Sequence, residues 1–455
     1  MRVTETQEWY LSNFQAFEKN LNGDQASPIH KIRKMAISRF VELGFPTVHD
    51  EEWKYTDVSP IVERTFKPTF AEAEAARWLP SLTIQDIQPF TLEEIGYHRI
   101  VFVNGYYSRE LSYLHPPAKG VQIESLATAI EKDPVALVRY LSVGVGFPYS
   151  YEDNGFTALN TAFIRDGAFV YIPDGVIVEV PIHLIFVGIG NSEAASGDKT
   201  APLSQPRNLI ITGKNSQVAL IESYVSPTSG SYFTNTITEV VMGENSVVDY
   251  YKLQYESLEA FHIGTVQVRQ GRSSNFSSHS LSFGGRLVRN NITVVFEAEG
   301  GECTLNGLYV VTDRQHVDNH TMIDHAKPHC TSNELYKGIL DGKSRGVFNG
   351  KILVRPDAQK TNAHQTNKNL LLSDEALIDT KPQLEIFAND VKCSHGATIG
   401  QLEEDPIFYL RSRGVDREMA RTILTYAFAS DIISRIKLEA VRTDIDRRLL
   451  SRFGK

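Results

Sequence analysis

The sequence predicts a mainly β protein whose core is a β-solenoid, flanked by helical segments at both ends. From about Phe156, short runs rich in Val, Ile, Tyr and Thr alternate with turns of Gly, Asn and Ser, which is typical of successive strands. A turn sequence recurs here: GKNSQV begins at Gly213 and GENSVV at Gly243, with weaker copies at Gly271 and Gly300, so the offsets are 30, 28 and 29 residues. A fixed period without intervening helices indicates a solenoid, whereas the alternative, a β-sandwich, needs no constant period.

The composition is that of an ordinary globular protein. The chain has 455 residues, of which 42% are hydrophobic and 22% charged, and its net charge is −9. This acidic balance argues against a nucleic-acid binder. Three cysteines, Cys303, Cys330 and Cys393, are too few for a disulfide framework and fit a reducing, cytoplasmic setting. The first residues lack a signal-peptide pattern, and no apolar run reaches the ~18 residues of a membrane span, so no membrane association is expected.

The N-terminal domain, predicted over residues 1–150, mixes helices with short strands. Residues 5–45 have a helical pattern, in which Ser27 and Pro28 form a helix start and Gly44 a stop. Further expectations are a docked loop over residues 51–56, a strand and turn over residues 99–105, and two short helices over residues 125–141 that are broken near Pro134.

The solenoid domain is predicted over residues 151–400, with its last strand ending near Ile399. Residues 191–206 are rich in Ser, Ala, Gly and Pro, a composition that predicts a mobile insertion between strands.

The C-terminal domain, predicted over residues 401–455, is helical. A short helix opens at Asp405 and Pro406 and stops at Gly414, and Asp416 caps a long helix after it. The apolar stripe of the long helix consists of Ala420, Ile423, Leu424, Ala427, Phe428, Ile432 and Ile436. A solenoid end needs a cap. The stripe therefore either packs on that end, which is the simpler interpretation, or docks a partner.

Two metal-ligating residue types stand where the β region meets the helical tail. Residues 390–398 read DVKCSHGAT, so Cys393 and His395 share one face of a strand. A thiolate and an imidazole are ligands for iron or zinc, and Gly396 leaves room for another chain to approach. Two ligands do not complete a tetrahedral site. The residues alone therefore favour a structural cysteine and histidine, unless further ligands come from elsewhere in the chain or from a partner.

Four histidines lie close together, at positions 316, 320, 325 and 329. On a strand His316 and His320 share a face with Asp318, but a turn separates them from the other two. The spacing of a zinc-binding helix requires a helix, which the β pattern does not predict here. A structural polar ladder is therefore favoured over a metal site. Cys303, at a predicted turn, is interpreted as a small structural side chain.

Two short motifs resemble a phosphate-binding loop and a nucleophile elbow, but the spacing of the first and the structural context of the second do not fit. Residues 338–344, GILDGKS, are one residue short of a phosphate-binding loop. Residues 342–346, GKSRG, fit G-x-S-x-G but lie between strands, whereas a nucleophile elbow joins a strand to a helix. The remaining enzymatic alternative is a β-solenoid enzyme acting on polysaccharide, although no paired Asp/Glu ladder stands out.

Longer motifs resemble the SufB/SufD family of iron–sulfur cluster assembly proteins, and within it the SufD branch. The similarity is strongest between His316 and Gly414, and three runs carry it: TKPQLEI at residues 380–386, DVKCSHGAT at residues 390–398 and IFYLRSRG at residues 407–414. EEWKYT at residues 51–56 resembles the N-terminal signature of SufD. Residues 60–150 carry little of the resemblance.

The resemblance implies a right-handed parallel β-helix between helical domains and no catalytic activity of its own. It implies a non-catalytic scaffold subunit of the SUF complex that pairs end to end with a SufB-like paralogue and binds a SufC-like ABC-type ATPase. A cysteine desulfurase system would supply sulfur indirectly, and a homodimer is possible in isolation. No tightly bound cofactor is implied, only transient iron or a nascent iron–sulfur cluster at the interface between the two subunits.

The resemblance also assigns candidate site residues. His395 and Cys393 are the candidate ligands for iron or the nascent cluster, facing the SufB-like partner. The candidate ATPase-binding residues are Pro406, Ile407, Phe408, Tyr409, Leu410, Arg411, Arg413 and Gly414. The sister branch has a sulfur-accepting cysteine in a late turn, where residues 372–374 here read LSD. This chain is therefore not expected to be the main sulfur acceptor.

Overall fold

Two long β-sheets face each other and form the body of the molecule. The computed structural model describes residues 4–21, 27–69, 82–92, 96–141, 153–190 and 200–453. Its strands are β1 Phe66–Pro68, β2 His98–Val103, β3 Tyr106–Tyr113, β4 Gln122–Ser125, β5 Ala168–Ile172, β6 Ile182–Val187, β7 Ala201–Ser204, β8 Arg207–Thr212, β9 Gln217–Val225, β10 Phe233–Met242, β11 Val247–Tyr255, β12 Phe261–Gln270, β13 Asn275–Ser282, β14 Leu287–Phe296, β15 Glu302–Val311, β16 His316–His325, β17 Thr331–Leu340, β18 Arg345–Val354, β19 Asn362–Leu371, β20 Leu377–Ile386 and β21 Lys392–Gln401.

The described helices all lie before β5 or after β21 in the sequence. They are α1 Glu5–Lys19, α2 Pro28–Leu43, α3 Ser59–Val62, α4 Ile84–Ile87, α5 Leu126–Lys132, α6 Pro134–Val138, α7 Gly155–Ala162, α8 Glu404–Ser412, α9 Arg417–Ile433 and α10 Glu439–Phe453, with short 3₁₀ turns at Glu51–Trp53 and Gln88–Phe90.

Each coil of the solenoid contributes one strand to each sheet. From β8 onward the even-numbered strands pair in parallel in the first sheet, and the odd-numbered strands from β9 pair in parallel in the second. Parallel neighbours that alternate between two sheets are the arrangement of a solenoid and not of a sandwich with Greek-key crossings. The predicted mainly β fold with a solenoid core and helices at both ends is confirmed.

The repeated turn explains the period. A side chain at Gly243 would come within 2.6 Å of the Gly213 backbone, and one at Gly271 within 2.7 Å of the Met242 backbone. The corners therefore stack in direct contact, as the repeat predicts. The neighbouring Asn215 and Asn245 have φ values of 54° and 57°, a left-handed conformation that asparagine tolerates well.

The interior of the early coils is aromatic. The rings of Phe102 and Phe186 stack with their centroids 5.0 Å apart, and Phe186 stacks on Tyr224 at the same distance. These rings are almost fully buried. Burying one such side chain contributes roughly 1.5–3 kcal/mol, so the stack anchors the start of the solenoid.

The N-terminal helices form where the sequence predicts them. The Ser27 hydroxyl accepts a hydrogen bond from the Ile29 backbone N–H, Pro28 is the first residue of α2, and Gly44 caps its end with a φ of 65°. The strand and turn near residue 99 and the paired short helices broken at Pro134 are also present. The first two helices pack through Phe14, Phe17 and Phe40 against an apolar cluster on the outer face of the first sheet, at its early coils.

A segment after α2 runs across the outside of the later coils, and we call residues 50–56 the N-terminal clamp. The ring of Trp53 is buried and lies under the Arg289 guanidinium, 3.7 Å from its carbon, a cation–π contact. The Arg289 side chain also donates to the Glu52 carbonyl at 2.7 Å and to Asp318 at 2.8 Å. The clamp thus covers a buried ion pair on the outer face.

Further contacts of the clamp reach the last coil. The Thr56 hydroxyl donates to Asp318 at 2.6 Å, Asn349 donates to Glu52 at 3.2 Å, and Lys381 forms an ion pair with Glu51. The residues contacted lie on β14, β16, β18 and β20. The clamp therefore joins four successive coils, which agrees with the docked loop predicted here.

The tail helices pack along the side of the solenoid and not on its end, so the capping interpretation is wrong. Ala429, Ile432 and Ile445 join one apolar cluster with Leu308 and Ile339 on the outer face of the second sheet. The physical reason is that this outer face is itself apolar and must be covered. Asp416 caps α9 as predicted, but α10 was not predicted.

The start of the coils also differs from the expectation. Residues after Phe156 form α7 and not a strand, because the Asn154 side chain accepts from the backbone N–H groups of Phe156 and Thr157. Strands β2, β3 and β4, within the predicted N-terminal domain, pair with the sheets of the core. The boundary at residue 150 lies outside the described residues, and the division into three domains stays a prediction.

Two smaller expectations need revision. Of the predicted insertion, residues 191–199 lie outside the described residues, whereas Ala201–Ser204 form β7, which pairs with β1 and β10. Cys303 lies within β15 and not at a turn, and its side chain is buried in the solenoid interior. A small structural side chain remains the appropriate description of Cys303.

Buried His325 should make the fold acid-sensitive. Burial lowers its pKa to about 3, and its ring nitrogen lies 2.9 Å from the Ser332 hydroxyl. A lowered histidine pKa gives stability that is present above the unfolded pKa of ~6.5 and lost as pH falls. Lowering the pH from 7.5 to 5.5 should therefore reduce the free energy of unfolding by about 1.4 kcal/mol through His325 alone.

The His325→Gln variant should therefore lose about 1.4 kcal/mol less stability over that range than the wild type. Urea unfolding at the two pH values measures the difference. His49→Gln, at an exposed histidine, is the control and should keep the wild-type dependence. An unchanged dependence in His325→Gln would show that His325 is not a source of acid sensitivity.

Candidate functional site

The two ends of the solenoid are different. At the early end β3 pairs antiparallel with β2, and β4 with β5, so the sheets are closed by returning strands. At the late end β20 pairs only with β18 and β21 only with β19 among the described strands. Their outer edges carry backbone groups that invite pairing with another chain. We call this surface, formed by β20 and β21, the open end.

The open end also exposes apolar side chains. Leu377 and Phe387 have exposed fractions of 59% and 62%, and Ile399 is half exposed at 50%. Exposed apolar groups next to an unpaired sheet edge are a feature of protein–protein contacts.

Cys393 and His395 lie on β21 at this open end. Cys393 pairs in register with Ala363, and His395 with Gln365. Ala363 and Gln365 are buried and point inward, whereas His364 between them is exposed and contacts the Ser394 hydroxyl at 2.7 Å. By the alternation of a strand, Cys393 and His395 share the inward face, over the mouth of the solenoid interior.

The two side chains differ in environment. Cys393 is half-buried against an apolar cluster that contains Val354, Ala363 and Ala388. Burial raises the pKa of the Cys393 thiol, so the thiol keeps its proton at neutral pH unless a metal or a partner draws it off. His395 is exposed, and nothing lies within 4 Å of the position that a side chain at Gly396 would take. The histidine is accessible to another chain.

A polar column beneath His395 was missed by the sequence reasoning. Gln365 lies one coil deeper than His395 and Glu334 one coil deeper again, in register. The Gln365 side-chain amide donates to the Glu334 carboxyl at 2.8 Å, and burial raises the pKa of Glu334 to about 7. The signal that could have found the column is the spacing, 31 and 30 residues, which matches the coil period.

Most of the residues assigned to ATPase binding lie at the surface of α8 or just after it. Phe408 and Tyr409 have exposed fractions of 71% and 59%. Ile407 is buried and anchors the helix, and Gly414 ends the segment with a φ of 91°. The others, Pro406, Leu410, Arg411 and Arg413, are half-buried or exposed. On α9, Ile423 of the predicted stripe is 40% exposed, so part of the apolar surface of the tail is uncovered.

The histidine cluster is engaged in contacts with the clamp. The His320 ring lies 3.0 Å from Asp318 and 3.6 Å from Glu52. His316 lies 3.0 Å from the Thr56 hydroxyl, and burial lowers its pKa to about 4. His325 points inward and His329 occupies a turn with a φ of 60°. These contacts favour the structural interpretation.

The described residues contain no group of three or more His, Cys, Asp or Glu side chains placed to hold a metal ion. The open end therefore offers a thiol and an imidazole, fewer than the four ligands of a closed tetrahedral iron or zinc site.

Two family models match the chain. The model of the SUF system FeS cluster assembly SufBD core domain matches residues 194–428, and that of the SufBD N-terminal region matches residues 4–184. None of the described helices combines the length and apolar character needed to cross a lipid bilayer.

Three curated relatives are similar over most of their length. A SufBD family iron–sulfur cluster assembly protein of Synechocystis sp. is 35% identical over 93% of this chain and 90% of its own length. The chloroplastic protein ABCI7 of Arabidopsis thaliana is 30% identical over 94% and 87%. The iron–sulfur cluster assembly protein SufD of Escherichia coli is 27% identical over 92% and 91%.

Proposed function

Because this chain belongs to the SufBD family of SUF-system iron–sulfur cluster assembly proteins, we propose that it is a non-catalytic scaffold subunit on which a nascent cluster is built and passed on. Family membership supports this role over the alternative of a polysaccharide-active enzyme. Iron and the nascent cluster are the cargo of the scaffold, and the proposed setting is the cytoplasm.

The observation that carries the proposal is the placement of Cys393 and His395 on the terminal strand of an open solenoid. Both lie on the inward face of β21, beside an unpaired sheet edge. A partner that pairs with this edge would bring its own ligands opposite them. Such an arrangement accounts for an incomplete ligand set in one chain, because coordination would be completed only in the assembled pair.

The proposed partner at the open end is a SufB-like paralogue. Strand edges on β20 and β21 provide backbone pairing, and the exposed side chains of Leu377, Phe387 and Ile399 provide apolar area. The same surface is self-complementary in principle, so a homodimer through it is the expected form of the isolated chain.

The proposed partner of the tail is a SufC-like ABC-type ATPase. Its contact surface would be centred on Phe408 and Tyr409, with Arg411 and Arg413 at the rim. Aromatic and arginine side chains dominate the energetics of such surfaces. This surface lies on α8, whereas the cluster that fastens the tail to the second sheet is built from α9 and α10, so an ATPase can bind without displacing the tail. The sulfur would come from a cysteine desulfurase system acting through the complex.

Affinity purification of the chain from native expression tests the proposal. The wild type should bring down a SufB-like chain and an ABC-type ATPase, identified by mass spectrometry. Ile399→Lys places a charge on the open end and should lose the paralogue, by about tenfold or more, while keeping the ATPase.

The matched control is Leu258→Lys, at a residue 55% exposed on a turn away from both surfaces, which should keep both partners. A wild-type chain that purifies with neither protein would refute the scaffold role. Retention of the paralogue by Ile399→Lys would move the contact to another surface.

A further inference from the structure

Beneath His395 the interior of the solenoid is polar, although the cluster beside Cys393 and most of the core are apolar. Gln365 and Glu334 have exposed fractions of 1% and 4%. Burying such groups costs free energy unless they are hydrogen-bonded. The fold nevertheless places both of them on the axis that leads to His395.

The Gln365 amide is held firmly in one orientation. Its nitrogen donates to the Glu334 carboxyl at 2.8 Å. The opposite strand carries Gly350, where a Cβ atom would lie 2.3 Å from the same nitrogen. A residue with a side chain at position 350 would displace the amide, so the glycine provides the space that Gln365 occupies.

The other end of the amide is unused. Gln365 Oε1 is buried and has no hydrogen-bond partner among the described residues. A buried unpaired acceptor costs roughly 1–3 kcal/mol. The next residue along the inward column is His395, whose backbone pairs in register with that of Gln365, one strand spacing of ~4.8 Å away.

We propose that Gln365 is the positioning residue of His395, accepting the inner ring N–H through Oε1 so that the outer ring nitrogen is presented to iron. This inference rests on the proposed ligand role of His395. A histidine that binds metal almost always donates its other N–H to an acceptor, which fixes the tautomer and raises the basicity of the ligand. Glu334 supports this role indirectly, because its carboxyl accepts a hydrogen bond from the Gln365 amide and so fixes its orientation.

Titration of the full-length chain with Co²⁺, a spectroscopic probe for iron, tests the inference. The wild type should bind Co²⁺ weakly, through few protein ligands. The inner ring N–H of His395, shifted by the paramagnetic ion, should exchange slowly with solvent because it is hydrogen-bonded to Gln365 Oε1. Gln365→Met keeps the volume and removes the acceptor, so Co²⁺ affinity should fall about tenfold and the ring N–H should exchange rapidly.

Two further variants separate positioning from folding. Asn369→Leu removes another buried amide from β19, one that accepts from the Tyr309 hydroxyl at 2.5 Å and pairs in register with Ile399 instead of His395. It should lower stability yet leave Co²⁺ affinity and the ring N–H unchanged. The double variant Glu334→Gln with Gln365→Glu reverses the pair and keeps an acceptor beneath His395, so it should retain slow exchange and an affinity within about threefold of the wild type.

The outcomes distinguish failure of the positioning role of Gln365 from failure of the ligand role of His395. If His395→Ala binds Co²⁺ as the wild type does, the ligand role fails and this inference with it. If His395→Ala loses binding while Gln365→Met keeps both affinity and slow exchange, only the positioning role is overturned. If Gln365→Met does not fold, fast exchange in the reversed pair overturns the inference.

Discussion

Replacing His395 with alanine is expected to abolish most iron–sulfur cluster assembly by this protein while leaving the fold intact. The side chain is exposed at the open end, so its removal leaves no cavity and should change stability by less than about 0.5 kcal/mol. A lost cluster ligand, in contrast, should lower the maturation of iron–sulfur enzymes by about tenfold or more. The measurement is the activity of such enzymes in cells grown under iron limitation.

His364→Ala is the matched control, because His364 is an exposed imidazole on the neighbouring strand that points outward to Ser394. It should support normal maturation. Cys393→Ser should have a milder effect than His395→Ala, since a cluster ligand could still come from the partner. Normal maturation with His395→Ala would refute the ligand role and leave the structural interpretation of the pair.

The second large effect is expected at the tail. Phe408 and Tyr409 are the large hydrophobic side chains that α8 exposes most, and central aromatic residues typically contribute 2 kcal/mol or more to an interface. Phe408→Ala should therefore weaken ATPase binding about 30-fold, and Tyr409→Ala should act in the same direction. Binding to immobilised ATPase, measured with purified chains, gives the ratio directly.

Val135→Ala is the control for this pair, because Val135 is 70% exposed on a helix remote from the tail in sequence. It should bind the ATPase as the wild type does. Circular dichroism should show the solenoid unchanged in all three variants. Equal binding by Phe408→Ala, Tyr409→Ala and wild type would place the ATPase elsewhere on the molecule.

The features that could be predicted from the sequence are those determined by neighbouring residues or by an internal repeat. Ser27 and Asp416 cap their helices as expected, since a cap involves residues only two or three positions away. The solenoid followed from the recurrence near Gly213 and Gly243, because stacking corners must repeat at the coil length. The placement of Cys393 and His395 on one strand face followed from their spacing of two.

The features that the sequence did not predict are tertiary contacts, which depend on which surfaces pack together. The stripe around Ile432 shows that α9 buries an apolar face, but not that this face packs on the side of the second sheet. The contact between Arg289 and Trp53 joins residues far apart in the chain, and no local pattern records it. The column of Glu334 and Gln365 becomes visible only once the register of three strands is known.

The N-terminal clamp has a consequence for how the chain is made. Its residues leave the ribosome before those of the solenoid, yet Glu51 contacts Lys381, 330 positions later. Coils can stack in order as they emerge, but the clamp cannot dock fully until almost the whole solenoid has been synthesised. Trp53 must stay undocked at least until β14, which carries Arg289, has been made, so folding cannot be strictly vectorial. Chains that terminate before β20 would lack the contact between Glu51 and Lys381. Complete docking of the clamp is therefore a late step, and it distinguishes chains with a finished solenoid from truncated ones.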